Sequence, residues 1–192
     1  VRFGGDMSVG AFGIANRIVF IFVMFVMGIN QGMQPIAGYN YGAQKLDRMM
    51  QVVKLSIIAA TVIMILGWFL AMLAPRQCVS LFTTDQHLIE TTVHGMRRMM
   101  LMLPIVGYQM VITNFFQCIG KVKISIFLSL SRQLLFLLPA LALLPIWFGL
   151  DGVWLAQPVS DFIASVVTAW IMIVYMHKFK LQHKENQYGR QE

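Results

Sequence analysis

The feature that most limits this chain is a set of long intervals without a charged side chain. Residues 18–44, 55–75 and 99–120 contain no Asp, Glu, Lys or Arg over 27, 21 and 22 residues. Two further apolar blocks, about 122–147 and 153–176, are interrupted only by Lys123 and Arg132 and by Asp161. A helix needs roughly 20 apolar residues to cross a hydrocarbon core about 30 Å thick. Such runs are too long for core strands of a soluble sheet, and the period-two alternation of a membrane barrel is absent. The expected fold is an all-α membrane protein of five transmembrane helices. Their spans fall near 14–40, 55–75, 99–120, 124–147 and 153–176, followed by a polar tail at 181–192.

Charge agrees with this. Only 12% of the 192 residues are charged, against about 25% in an average soluble domain. The net charge of +7 is not gathered into one stripe, so a nucleic-acid partner is not expected. The basic residues sit between the apolar blocks instead. With a cytoplasmic carboxyl terminus, the inner segments hold Lys45, Arg48, Lys54, Lys121, Lys123, Lys178, Lys180, Lys184 and Arg190. The outer segments then hold Arg2, Arg17, Arg76, Arg97 and Arg98. Nine against five follows the positive-inside rule. Trp147 and Trp154 flank the fourth connection, as an interfacial belt or as buried aromatics. Cys78 and Cys118 form no disulfide framework. The chain starts at Val1 without a signal peptide and reads like the middle of a longer product.

Several polar groups lie inside the spans. Asn30 and Gln34 are four apart on one helical face, beside Pro35, which removes an amide and is expected to break the helix. Gly28 and Gly32 form a small-xxx-small pair for close packing. Gln109, Thr113 and Gln117 form a second stripe, with Asn114 beside it and Pro104 freeing the carbonyl of Met100. These six polar residues either line a substrate cavity or form a hydrogen-bonded seam between helices. Arg132 and Asp161 are the deep charges, each costing about 2.5–3.5 kcal/mol at the membrane centre. Counted inward at 1.5 Å per residue, they lie about 13 Å from one face and about 12 Å from the other. They are expected either to pair across helices four and five, or to leave Asp161 free for a cation. The many methionines suit a promiscuous surface or plain span filling. His87, Glu90 and His94 share a face if helical, but in a polar outer loop without a fourth ligand no metal site is expected. Ser129 and Ser131 have no His partner at helical spacing, and no enzyme is expected.

Four stretches carry a resemblance in order. Gly32-Met-Gln-Pro-Ile-Ala-Gly-Tyr-Asn-Tyr-Gly-Ala43 resembles the eighth transmembrane segment of the MATE (multidrug and toxic compound extrusion) family, nearest its MepA-like branch. Gly4-Gly-Asp6 through Ile18 is similar to the lead-in to that helix. Phe115-Phe-Gln-Cys-Ile-Gly-Lys121 resembles the end of the tenth helix. Gly149-Leu-Asp-Gly-Val-Trp-Leu-Ala-Gln-Pro-Val-Ser-Asp161 resembles the eleventh connection and twelfth helix. The resemblance implies helices 8–12 of a twelve-helix, two-lobe transporter, with the amino-terminal lobe missing from this chain. It implies a multi-pass protein of the bacterial plasma or inner membrane, with its carboxyl terminus cytoplasmic. It also implies antiport by alternating access, in which sodium ions or protons drive export of small-molecule drugs, often cationic, without an organic cofactor. The family's coupling carboxylate in the seventh or tenth helix has no counterpart here, since 99–120 has no acid. A lipid-linked oligosaccharide flippase of the same superfamily and a non-transporting membrane scaffold are the alternatives.

Overall fold

The apolar intervals become helices because only a helix satisfies its own backbone in hydrocarbon without a neighbouring strand. The computed structural model describes residues 5–188, with side chains over 7–149 and 151–179. Helix α1 spans Gly5–Gly42, α2 Leu46–Leu73, α3 Pro75–Ser80, α4 Gln86–Met99, α5 Leu103–Cys118 and α6 Val122–Leu130. A π-helical segment, Ser131–Leu137, joins α6 to α7 (Leu138–Phe148), and α8 covers Leu150–Tyr188. The described residues contain no strand. The tail expected at 181–192 has no described side chains, and 189–192 lie outside the described residues altogether.

Four runs are long and apolar enough to cross a membrane unaided: Met7–Gly42, Leu46–Leu73, Val122–Phe148 and Asp151–Phe179. A fifth candidate crossing is a bent pair, with α4 and α5 meeting at 57° across a short break. The 16 residues of α5 reach only about 24 Å, less than a hydrocarbon core of about 30 Å. Pro104 explains the break. It stands in the first turn of α5, where a missing amide hydrogen is harmless, whereas inside a continuous helix it would clash with the preceding turn. The carbonyl of Met100 accepts from the Leu103 amide at 3.0 Å instead.

Three expectations are corrected by the packing. The outer loop is helical through 86–99: Asp85 Oδ1 caps α4 by accepting from the amides of His87 at 2.9 Å and Leu88 at 3.4 Å. Ile89, Thr92, Met96 and Met99 then line its buried face, as their spacing allows. Next, α1 runs unbroken through Pro35, since one lost hydrogen bond is carried by intact turns on either side. Finally, a Cβ built on Gly28 or Gly32 would meet nothing within 4 Å among the described residues. The close approach on α1 is made by Gly38, where a Cβ would stand 3.3 Å from the carbonyl oxygen of Cys118.

The two tryptophans separate. Trp147 is 83% exposed, while Trp154 is 2% exposed and belongs to the core. Its ring lies over Gly95, where a Cβ would come within 2.2 Å, and 5.6 Å from the ring of Phe12. That stack ties α1, α4 and α8 together. The methionines divide as well, with Met33, Met99 and Met100 in the core and Met24 and Met27 exposed.

Helix α5 occupies the middle, touching α1, α2, α6 and α8. Gly107 brings it against the backbone of α2: a Cβ there would meet the Ala60 carbonyl oxygen at 2.9 Å. Toward α8 the Tyr108 hydroxyl donates to the Ser165 carbonyl at 2.8 Å. Phe115 and Phe116 are fully buried, and Phe116 meets Tyr175 edge-on at 5.2 Å. Because the Gly107 contact is backbone, it has little room to relax. Gly107→Ala should destabilise the chain by about 1–3 kcal/mol through overpacking. Gly28→Ala and Gly32→Ala should leave stability unchanged or slightly raised. Thermal unfolding in detergent distinguishes the two groups.

Candidate functional site

The polar residues of α1 and α5 meet near one end of the bundle. Gly38 permits the approach, and one turn earlier on both helices Gln34 Nε2 donates to Asn114 Oδ1 at 3.1 Å. Asn114 Nδ2 donates back along its own helix to the Met110 carbonyl at 2.8 Å. Thr113 Oγ1 likewise donates to the Gln109 carbonyl at 2.9 Å. Asn114 therefore links the two helices while keeping its own amide satisfied, as an amide in hydrocarbon must.

Exposure sorts the expected cavity residues into two sets. Gln34, Thr113 and Asn114 are half-buried and Gln117 is exposed. Asn30 and Gln109 are each only 3% exposed, turned into the helix bundle rather than onto its surface. Neither polar atom of Asn30, nor Gln109 Oε1, has a hydrogen-bond partner among the described residues. The Gln109–Thr113–Gln117 stripe thus climbs from the interior to the surface as it winds round α5. Gln31 is a polar residue that the sequence does not single out, and it is exposed together with Met24, Gly28 and Pro35. The signal for it is their spacing of four, three and four residues, one stripe along α1.

The two deep charges meet. Arg132 Nε donates to Asp161 Oδ1 at 2.8 Å, and the side chains are 29% and 6% exposed. Gln157 Nε2, one turn earlier on α8, reaches Asp161 Oδ2 at 3.5 Å. The Ser160 hydroxyl donates to the backbone carbonyl of Arg132 at 2.9 Å, and the Ser131 hydroxyl donates to the Phe127 carbonyl. Arg132 lies in the π-helical segment. Pro139, in the first turn of α7, supplies no amide to the carbonyls below it, and wider winding is one way a helix accommodates that gap. Ser160 then takes up a carbonyl in the disturbed stretch. One ion pair, one amide and the Ser160 hydroxyl make a single polar node between the π segment and α8.

Glu90 stands 3.6 Å from Arg76. Among the described residues no group of three or more His, Cys, Asp or Glu is placed to hold a metal ion.

A buried pair is costly to break from one side, because the survivor is an uncompensated charge. Arg132→Gln and Asp161→Asn should each lower stability by about 3–5 kcal/mol. The exchanged variant Arg132→Asp/Asp161→Arg should recover most of that loss. The thermal midpoint of the three variants checks this, and a double exchange no better than the singles would exclude pairing.

This geometry can be set beside known proteins. A family model described as MatE matches residues 1–141. The Multidrug export protein MepA of Staphylococcus aureus (strain MSSA476) is 26% identical over 177 residues, covering 92% of this chain and 38% of that protein. The chain therefore spans about two fifths of the length of this curated relative. A solved MATE multidrug transporter, DinF-BH, superposes with a TM-score of 0.79 at 40% identity. It covers 90% of this chain, which matches 39% of that one. A second MATE structure, in the bent conformation, reaches a TM-score of 0.87 at 21% identity over 94% of this chain and 40% of its own, a likeness of fold. Matched over most of its length by the family model and by these helical folds, this chain belongs to the MATE family.

Proposed function

We propose that this chain forms the carboxyl-terminal lobe of a multidrug exporter, in which a second lobe completes a central cavity. The observation that carries this reading is the polar seam of α1 and α5. Gln34, Thr113 and Asn114 are partly exposed and Gln117 is exposed, on helices otherwise clothed in apolar side chains. Neutral amides and a hydroxyl can hydrogen-bond varied organic ligands, and the exposed Met24 and Met27 offer adaptable apolar contact. Asn30 and Gln109 belong to the support behind that wall. A drug, including an organic cation, is the substrate class this surface suits.

Export is coupled to entry of sodium ions or protons by alternating access, and the coupling acid lies outside this chain. The guanidinium on Asp161 supports that placement, because a coupling cation would have to displace a positive charge already bound there. The Arg132–Asp161 node acts as a clamp that holds α8 to the π segment. The membrane is a bacterial plasma or inner membrane, and the Lys45 and Lys121 end of the bundle, with the carboxyl terminus, faces the cytoplasm.

Vesicles containing the full-length protein and a fluorescent organic cation test the transport step under separate sodium and proton gradients. Efflux should accelerate with one gradient and stop when it is collapsed; efflux indifferent to both would overturn the coupling. For the cavity, single cysteines at positions 34 and 117 should react with aqueous thiol reagents, and added drug should slow that reaction. A cysteine at position 109 should stay unreactive. If 34 and 117 resist the reagent in every state, the seam is only helix-to-helix glue.

A further inference from the structure

The end of the bundle built from α3, α4 and the start of α8 holds a cationic cleft that the transport reading does not use. We propose that this cleft binds the phosphodiester headgroup of an anionic membrane lipid. A cavity of about 430 Å³ opens there, lined by Arg76, Glu90, His94, Arg97 and Arg98 above an apolar floor that includes Ile89. Three guanidinium groups thus meet two carboxylates, Glu90 in the lining and Asp151 at its edge. Arg76 Nη2 lies 3.6 Å from Glu90 Oε1 and donates to Gln86 Oε1 at 3.3 Å. Arg98 pairs with Asp151 at the start of α8, and His94 Nε2 stands 3.8 Å from the same carboxylate. Arg97 is exposed and has no carboxylate partner among the described residues. A guanidinium carries five donors in a planar fork that matches two phosphate oxygens at once. Arg97 therefore offers a whole fork, and Arg76 and Arg98 keep donors beyond those their carboxylates take.

The surroundings favour a lipid over a free anion. Leu73 and Leu81, on either side of α3, are 81% and 83% exposed. Phe82 beside them is 39% exposed. Helix α4 is amphipathic, its apolar face on the lobe and its charged face toward the cleft. Basic and apolar groups side by side at a helix-bundle end belong at the boundary of headgroups and acyl chains. A phospholipid meets both, its phosphate on the arginines and its chains beside the leucines, whereas inorganic phosphate meets only the arginines. Arg97 and Arg98 also complement the dipole at the carboxyl end of α4, but that makes no use of Arg76 from another helix or of the cleft between them.

The test does not depend on transport. The full chain in detergent is offered phosphatidylglycerol, phosphatidylcholine or inorganic phosphate, with bound lipid read by native mass spectrometry and folding by the thermal midpoint. Phosphatidylglycerol should be retained about tenfold better than phosphatidylcholine. Its retention should fall about tenfold in Arg97→Gln, the loss of a charge-assisted hydrogen bond, and stay unchanged in Lys123→Gln at the other end of the bundle. Should Arg97→Gln not fold, Arg97→Lys keeps the charge without the fork, and a severalfold loss is expected. Equal retention of the two lipids, or undiminished retention in both Arg97 variants, overturns the proposal. So does full displacement of phosphatidylglycerol by millimolar inorganic phosphate, which would identify a free-anion site.

Discussion

Hydrocarbon offers no hydrogen bonds, so a polar group that enters it is costly unless it finds a partner inside the protein. The rest of this structure follows from that constraint. It turns the apolar intervals into helices. It also brings Arg132 on the π segment to Asp161 on α8, with Gln157 and Ser160 completing the node. The same rule governs α5, where the Tyr108 hydroxyl seeks the Ser165 carbonyl and Asn114 serves both Gln34 and the Met110 carbonyl. These links hold helices together laterally, where the hydrophobic effect contributes little because lipid is as apolar as leucine.

Close packing supplies the remaining cohesion, and glycine decides where it occurs. Gly107 seats α5 on α2, Gly95 accepts the Trp154 ring, and Gly38 admits the Cys118 carbonyl. Helix α5 thereby becomes the hub of the bundle despite being too short to cross alone. The break before it lets α4 turn away at 57° and lie across the end of the bundle. There it carries its charged face to the arginine cleft. A proline that would damage an ordinary span is therefore what separates the hub from an interfacial helix.

Much of this was legible beforehand, for physical reasons. Charge-free length measures what a bilayer admits, so four crossings and the candidate fifth followed from counting. The depths of Arg132 and Asp161 followed from the rise of a helix, and two deep charges at nearly one level have few other partners. What stayed hidden depends on faces and neighbours. The spacing of Asn30 and Gln34 places both on one side of α1, yet Gln34 reaches Asn114 while Asn30 is packed inside. The same blindness applies to Gly28 and Gly32, a packing pattern without a partner among the described residues, and to Trp154, buried only because Gly95 lies beneath it. The helix at 86–99 was written in its Asp85 cap and its amphipathic spacing, signals easily masked by polar composition.

The sequence by itself determined the all-helical membrane class, the long apolar spans, the two deep charges, and the motifs of the MATE family. Each of these depends on length, composition or local order, which the chain states directly. Tertiary structure alone decided that α5 is the hub, that the π segment presents Arg132, that Asn30 and Gln109 turn inward, and that Arg76 meets α4. Those outcomes depend on how helices rotate and cross. In a membrane, where almost any apolar face is acceptable, rotation is selected by a few polar contacts and glycines whose partners lie far away in the chain.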